Sequence, residues 1–185
     1  MLTSAREILC FGALLGATTL LAACTSAPVP PPPTPTEPTG PSCPDSGIAI
    51  TVEGDSGAMG LRALGIALTN CGNGDYTVNG YPVIRVLDAD RRPLDVTVGH
   101  GSPPVSAPDS YDVPPEQVTL RPGDKASARI LWRNKVTDSA VPATEGRYLE
   151  IAPAAGEPAQ IVEPSGGIDL GTTSRLAVSP WAVRS

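Results

Sequence analysis

Residues 126–133 read Ala-Ser-Ala-Arg-Ile-Leu-Trp-Arg, and their alternation decides the fold class. Ala126, Ala128, Ile130 and Trp132 fall on one face of an extended chain, with Ser127, Arg129 and Arg133 on the other. A period of two is what a strand with one covered and one wet face demands. Upstream, Ile48, Ile50 and Val52 alternate with Ala49, Thr51 and Glu53, and Leu64, Ile66 and Leu68 repeat the pattern. Further strands are expected at residues 76–78, 82–88, 94–98, 117–120, 148–152, 159–162 and 176–179. Clusters of turn-forming residues at 70–75, 88–93 and 121–124 punctuate them. Many short strands with a turn at each break argue for an antiparallel β-sandwich. No window beyond the first two dozen residues sustains a helical period, and no internal repeat is present.

Composition agrees. Of 185 residues, 22 are Pro and 19 Gly, while only 4% are aromatic. Pro and Gly together fill about a fifth of the chain against a usual eighth or so. That excludes a helical bundle, a coiled coil and most helix-rich α/β enzymes, because Pro removes a helical donor and Gly costs about 1 kcal/mol per helical site. The net charge of −6 disfavours nucleic acid as a partner. Eleven Arg against two Lys (Lys125 and Lys135) reports codon usage in a GC-rich genome more than mechanism.

The N-terminus carries an address. After a short segment with Arg6 as its cation, Ile8 to Ala23 runs apolar or small for 16 residues. A helix of that length spans about 24 Å, short for a membrane crossing and right for a signal-peptide core. Leu21-Ala22-Ala23-Cys24 resembles the lipobox of bacterial lipoproteins, so residues 1–23 are expected to be a lipoprotein signal peptide and Cys24 the lipidated residue. An ordinary signal peptide with an accidental Cys is the alternative. Residues 24–42 hold the lipidated Cys and a tether with 8 Pro in its last 18 positions. Polyproline II would extend that stretch to about 55 Å. Once Cys10 leaves with the signal and Cys24 takes lipid, Cys43 and Cys71 remain as an even pair in an oxidising compartment. A disulfide is expected, since two Cys without a nearby His are too few for a metal site.

Six motifs then recur in a recognisable order: Cys43 near the domain start, Leu68-Thr69-Asn70-Cys71-Gly72, Gly80-Tyr81-Pro82, Leu87-Asp88-Ala89-Asp90, Leu120-Arg121-Pro122-Gly123 and Leu131-Trp132-Arg133-Asn134. The series resembles domain-of-unknown-function family 4232, found in actinobacterial lipoproteins and secreted proteins, over about residues 43–180. The resemblance implies an immunoglobulin-like sandwich with no established activity and no catalytic residues to carry over. Members often have a second Cys pair toward the C-terminus, which this chain lacks.

Candidate chemistry is sparse. Gly54-Asp55-Ser56-Gly57 spells the motif around a trypsin-like nucleophile, but the only His, His100, follows the Ser, and the chain is too short for two barrels. A turn between the first two strands is the expectation for 54–57. His100 sits in Gly99-His100-Gly101-Ser102 and reads as an exposed loop residue, and with Met59 as the lone Met beyond the signal, copper has no soft ligands. Asp88 and Asp90 lack the later carboxylate of an EF-hand and read as a charged hairpin tip. No P-loop glycine pattern or basic–aromatic stripe occurs, so neither cofactor nor metal is expected.

Residues 101–116, Gly-Ser-Pro-Pro-Val-Ser-Ala-Pro-Asp-Ser-Tyr-Asp-Val-Pro-Pro-Glu, form the segment richest in recognition features. Five Pro stiffen it and Tyr111 offers an aromatic anchor, so Pro103, Pro104 and Tyr111 are candidate partner-binding residues. An irregular crossover between sheets is the plainer reading. The sequence thus points to a lipid-anchored, extracytoplasmic binding module at the cell membrane, with residues 43–185 as its one β-sandwich. Its expected partners are the membrane, through the lipid, and another envelope protein. Two alternatives stand: an envelope hydrolase using a carboxylate pair, since every Asp and Glu but Glu7 follows Cys24, and a small-ligand carrier.

Overall fold

The computed structural model describes residues 43–183; the expected signal peptide (1–23), Cys24 and the Pro-rich tether (24–42) lie outside the described residues. Its strands, in chain order, are β1 (Ile48–Ala58), β2 (Leu61–Asn70), β3 (Tyr76–Asn79), β4 (Val83–Leu87), β5 (Thr97–His100), β6 (Gln117–Leu120), β7 (Lys125–Arg133), β8 (Glu145–Gly146), β9 (Tyr148–Ala152), β10 (Gln160–Val162), β11 (Ile168–Asp169) and β12 (Arg175–Val178). No helix occurs among the described residues.

One layer is a five-stranded sheet in the order β1-β2-β7-β12-β5. The second layer is broken into a three-stranded sheet, β10-β9-β4, and two ribbons, β3–β6 and β11–β8. Ala126, Ala128, Ile130 and Trp132 of β7 all point into the core, as their alternation requires. Leu64, Ile66 and Leu68 of β2 join them, and β4 and β9 close the sandwich from the other layer with Ile84, Val86, Leu149 and Ile151. Each buried Leu, Ile or Val among them contributes about 1.5–3 kcal/mol by leaving water. The all-β sandwich expected from the period of two is the architecture found.

The disulfide end is tightly closed. Cys43 and Cys71 form a disulfide across a separation of 28 residues. Next to it Asn70, 1% exposed, donates from Nδ2 to the carbonyls of Gly74 and Leu120, and its Oδ1 accepts from the Gly72 N–H. The Asn70 backbone bonds Gly123 and Asp124, so one side chain and its own peptide groups tie the 70–74 turn to the 121–124 turn. Trp181, 1% exposed, plugs this end and donates from Nε1 to the Pro153 carbonyl at 2.8 Å. From here β1 runs eleven residues, about 33 Å if fully extended, to the distal end.

The edge of β1 has its own cover. Gln160 reaches from β10 so that its Oε1 accepts from the Ile50 N–H at 3.0 Å and its Nε2 donates to the Ile48 carbonyl at 2.8 Å.

Three details depart from expectation. Residues 54–57 are not the turn; they lie within β1, whose register slips between Val52 and Asp55 as a bulge opposite Gly65. A Cβ on Gly65 would come within 3.2 Å of the Glu53 Cβ, so glycine there admits the bulge. The chain reverses at Met59 and Gly60, both at positive φ (51° and 77°), as a two-residue hairpin loop between right-twisted strands requires. The strand expected at 94–98 is displaced to 97–100, because Pro93 and Leu94 turn back to pair with Leu87 and Val86. Finally, β12 and β5 run parallel, Leu176 opposite Val98. Both enter the large sheet from the distal end, after the chain crosses between layers through 88–96 and again through 163–174, so both descend in the same direction.

Candidate functional site

The 101–116 loop leaves β5 and lies on the outer face of the large sheet. It is held from within by carboxylates. Asp112 Oδ1 accepts from the Ser102 N–H at 2.5 Å and its Oδ2 from the Asp109 N–H at 2.6 Å, while Asp109 Oδ1 accepts from the Tyr111 N–H at 2.8 Å. Arg129, outward-facing on β7, ion-pairs with Asp109 Oδ2 and lays its guanidinium over the Tyr111 ring, 3.7 Å from the centroid. Arg133 donates from Nε to the Val105 carbonyl. Burial pushes the Asp109 carboxyl up, but the Arg129 and Tyr111 hydrogen bonds and the Arg129 charge outweigh it and the net direction is down. Asp112 follows the same logic, with burial opposed by the Ser102 and Asp109 N–H groups and the net direction again down.

Small residues on the sheet let the loop approach. Ala63, Leu131, Ala177 and Gly99 pair directly across β2, β7, β12 and β5. A Cβ on Gly99 would sit 2.6 Å from Pro104 Cγ, so Pro104 packs where a larger residue could not be tolerated. Leu131 and Ala177 are thereby buried although they face away from the core. Tyr111, expected as a projecting anchor, is instead half-buried against its own sheet. What the loop presents outward is Pro103, residues 107–110 and residues 113–116, with Val113 at 41% exposure.

The second region is a cleft between the layers at the distal end. The β1 bulge returns Asp55 to the inner face opposite Leu64, and Arg62 lies on the same face between Gly57 and Trp132. Residues 164–167 form its far wall, with Gly166 and Gly167 at φ 79° and 69°. A Cβ on Gly167 would meet the Gly146 carbonyl at 2.8 Å, so glycine lets this wall rest on β8. The cleft encloses about 240 Å³ and shares residues 164–167 and Asp169 with a wider, open groove holding Glu145, Arg147 and Glu163. Glu163 ion-pairs with Arg147. Asp169 accepts from Asn134 Nδ2 at 2.6 Å and from the Gly171 N–H at 2.9 Å. Glu163 and Asp169 are thus engaged within the protein. Trp132 lines the cleft, and its buried Nε1–H has no acceptor.

The remaining candidates fall elsewhere. His100 is exposed, but it ends β5 and stacks on Tyr81 with ring centroids 3.9 Å apart and planes 3° apart. Ser56 is far from it in chain order, on the exposed arm of β1. Asp88 and Asp90 do form the charged tip after β4. Asp88 accepts from the Arg92 and Asp90 N–H groups, and the Arg92 N–H above all holds its carboxyl below the usual range. Among the described residues, no group of three His, Cys, Asp or Glu converges as a metal site.

No curated protein and no solved structure matches the chain. A family model described as a domain of unknown function (DUF4232) matches residues 43–182, which is the sandwich from its disulfide to the strand-like end beyond Trp181. The chain belongs to the DUF4232 family.

Proposed function

We propose that this protein is a lipid-anchored, extracytoplasmic binding module that engages another envelope protein through the outward side of its 101–116 loop. The observation that carries the reading is the loop's internal bracing: Asp112 and Asp109 hold backbone N–H groups, and Arg129 holds Asp109. A loop already fixed, with five prolines, loses little conformational entropy on docking, so more of its contact energy appears as affinity. Tyr111 contributes by rigidifying the loop under Arg129. The lipobox at Cys24 and the proline tether support an anchored protein held off a membrane surface. A hydrolytic reading has less support, because in the wider groove Glu163 and Asp169 are already committed to Arg147, Asn134 and Gly171, which leaves Glu145 without a second free carboxylate beside it.

The test is site-specific photo-cross-linking in the native envelope, with the probe at Val113 and a control probe at Asp90. A partner captured from Val113 and absent from Asp90 is expected; identical capture from both sites, or none from Val113, overturns the loop assignment. Detergent phase partition of Cys24→Ala checks the anchor. A mutant that still enters the detergent phase at mature size would show that Cys24 does not hold it there.

A further inference from the structure

The interlayer cleft is independent of the outer loop and has a chemistry of its own. Among the described residues, neither Asp55 nor Arg62 makes an ion pair or side-chain hydrogen bond, although both face the cleft. A free carboxylate and a free guanidinium on one small surface oppose any ligand of single charge, because an anion meets Asp55 and a cation meets Arg62. The hydroxyl of Ser165 adds a group that both donates and accepts. Trp132 supplies an apolar floor and a buried N–H that lacks an acceptor.

We infer that this cleft is a binding site for one neutral sugar residue. Its volume of about 240 Å³ equals roughly eight waters, enough for a pyranose ring of about a dozen heavy atoms. Vicinal hydroxyls donate to Asp55 while accepting from Arg62, a pairing that neither phosphate nor an ammonium group can complete. The site lies at the end of the sandwich opposite the Cys43–Cys71 disulfide, where an extended glycan can enter without meeting the N-terminal segment's point of attachment.

The test is titration of the purified full-length chain with glucose, mannose and N-acetylglucosamine, read by calorimetry and by tryptophan emission. Inorganic phosphate and glycine serve as charged and zwitterionic competitors. Of the two Trp residues, Trp181 is bonded to Pro153 at the opposite end, so a change in emission reports Trp132. At least one sugar is expected to bind, with affinity reduced about tenfold in Asp55→Asn and in Arg62→Gln and unchanged in Arg175→Gln on the outer side. Both cleft positions are exposed, so those variants should keep the wild-type melting temperature. Absence of binding by all three sugars overturns the inference. So does phosphate or glycine binding as tightly as the best sugar, or sugar affinity that survives both cleft substitutions.

Discussion

At the disulfide end, Asn70 is buried and all three of its amide bonds are made, and the Trp181 indole has its carbonyl partner. At the distal end, Trp132 is also buried, at 5% exposure, but its indole N–H has no partner. The first end closes on a disulfide and interlocked turns. The second closes on a hairpin loop with Met59 in a left-handed conformation, a glycine wall and two-residue strands. The contrast teaches where this fold stores its stability and where it tolerates defects. Strain and unsatisfied polarity persist only where the rest of the structure over-determines them, and they tend to collect where a protein meets a ligand.

Removing the disulfide tests the contrast most severely. Closing a loop of 28 residues is worth roughly 3.5 kcal/mol on the chain-entropy estimate. The Cys43→Ser/Cys71→Ser double variant should therefore melt about 10 °C lower. Identical melting curves for this variant and the oxidised wild type would place the stability elsewhere. Asn70→Ala comes next: it strands the Leu120 and Gly74 carbonyls and the Gly72 N–H, and should cost about 2–3 kcal/mol in urea unfolding. A loss below about 0.5 kcal/mol would mean that water replaces the side chain and that this end is no tighter than the other. The smallest effect has the opposite sign. Met59→Asn places Asn-Gly in the hairpin loop and should raise stability by about 1 kcal/mol with an unchanged urea m-value. Destabilisation by this change would show that Met59, 95% exposed, is not strained.

Where the sequence was legible, the reason is periodicity. Ala126, Ala128, Ile130 and Trp132 are buried as their alternation requires, as are Ile48 and Ile50, while Ala49 and Leu131 on the opposite faces are covered as well. The two-residue strands Glu145–Gly146 and Ile168–Asp169 have no period to read. Residues 54–57 misled because Gly, Asp and Ser serve a bulge as well as a turn, and only the facing Gly65 distinguishes the two. The fate of Tyr111 could have been suspected from Leu131, an apolar residue at an outward position that demanded a cover. The cleft was not legible at all. Asp55, Arg62, Trp132 and Ser165 come from three strands and a loop, and only strand register brings them to one surface.

The Gln160 side chain on β1 has a consequence beyond the fold. An outermost strand offers a row of unused N–H and C=O groups to any other chain that can extend alongside it, which is how sheet proteins begin to polymerise. Here a side-chain amide mimics one residue of such an intruding strand and occupies Ile48 and Ile50. Further along, the bulge between Val52 and Asp55 breaks the flat register that an intruder would need. Among the described residues, the longest strand at a sheet edge is thus occupied at its start and bent at its middle, which removes the flat row of backbone groups that edge-to-edge pairing needs.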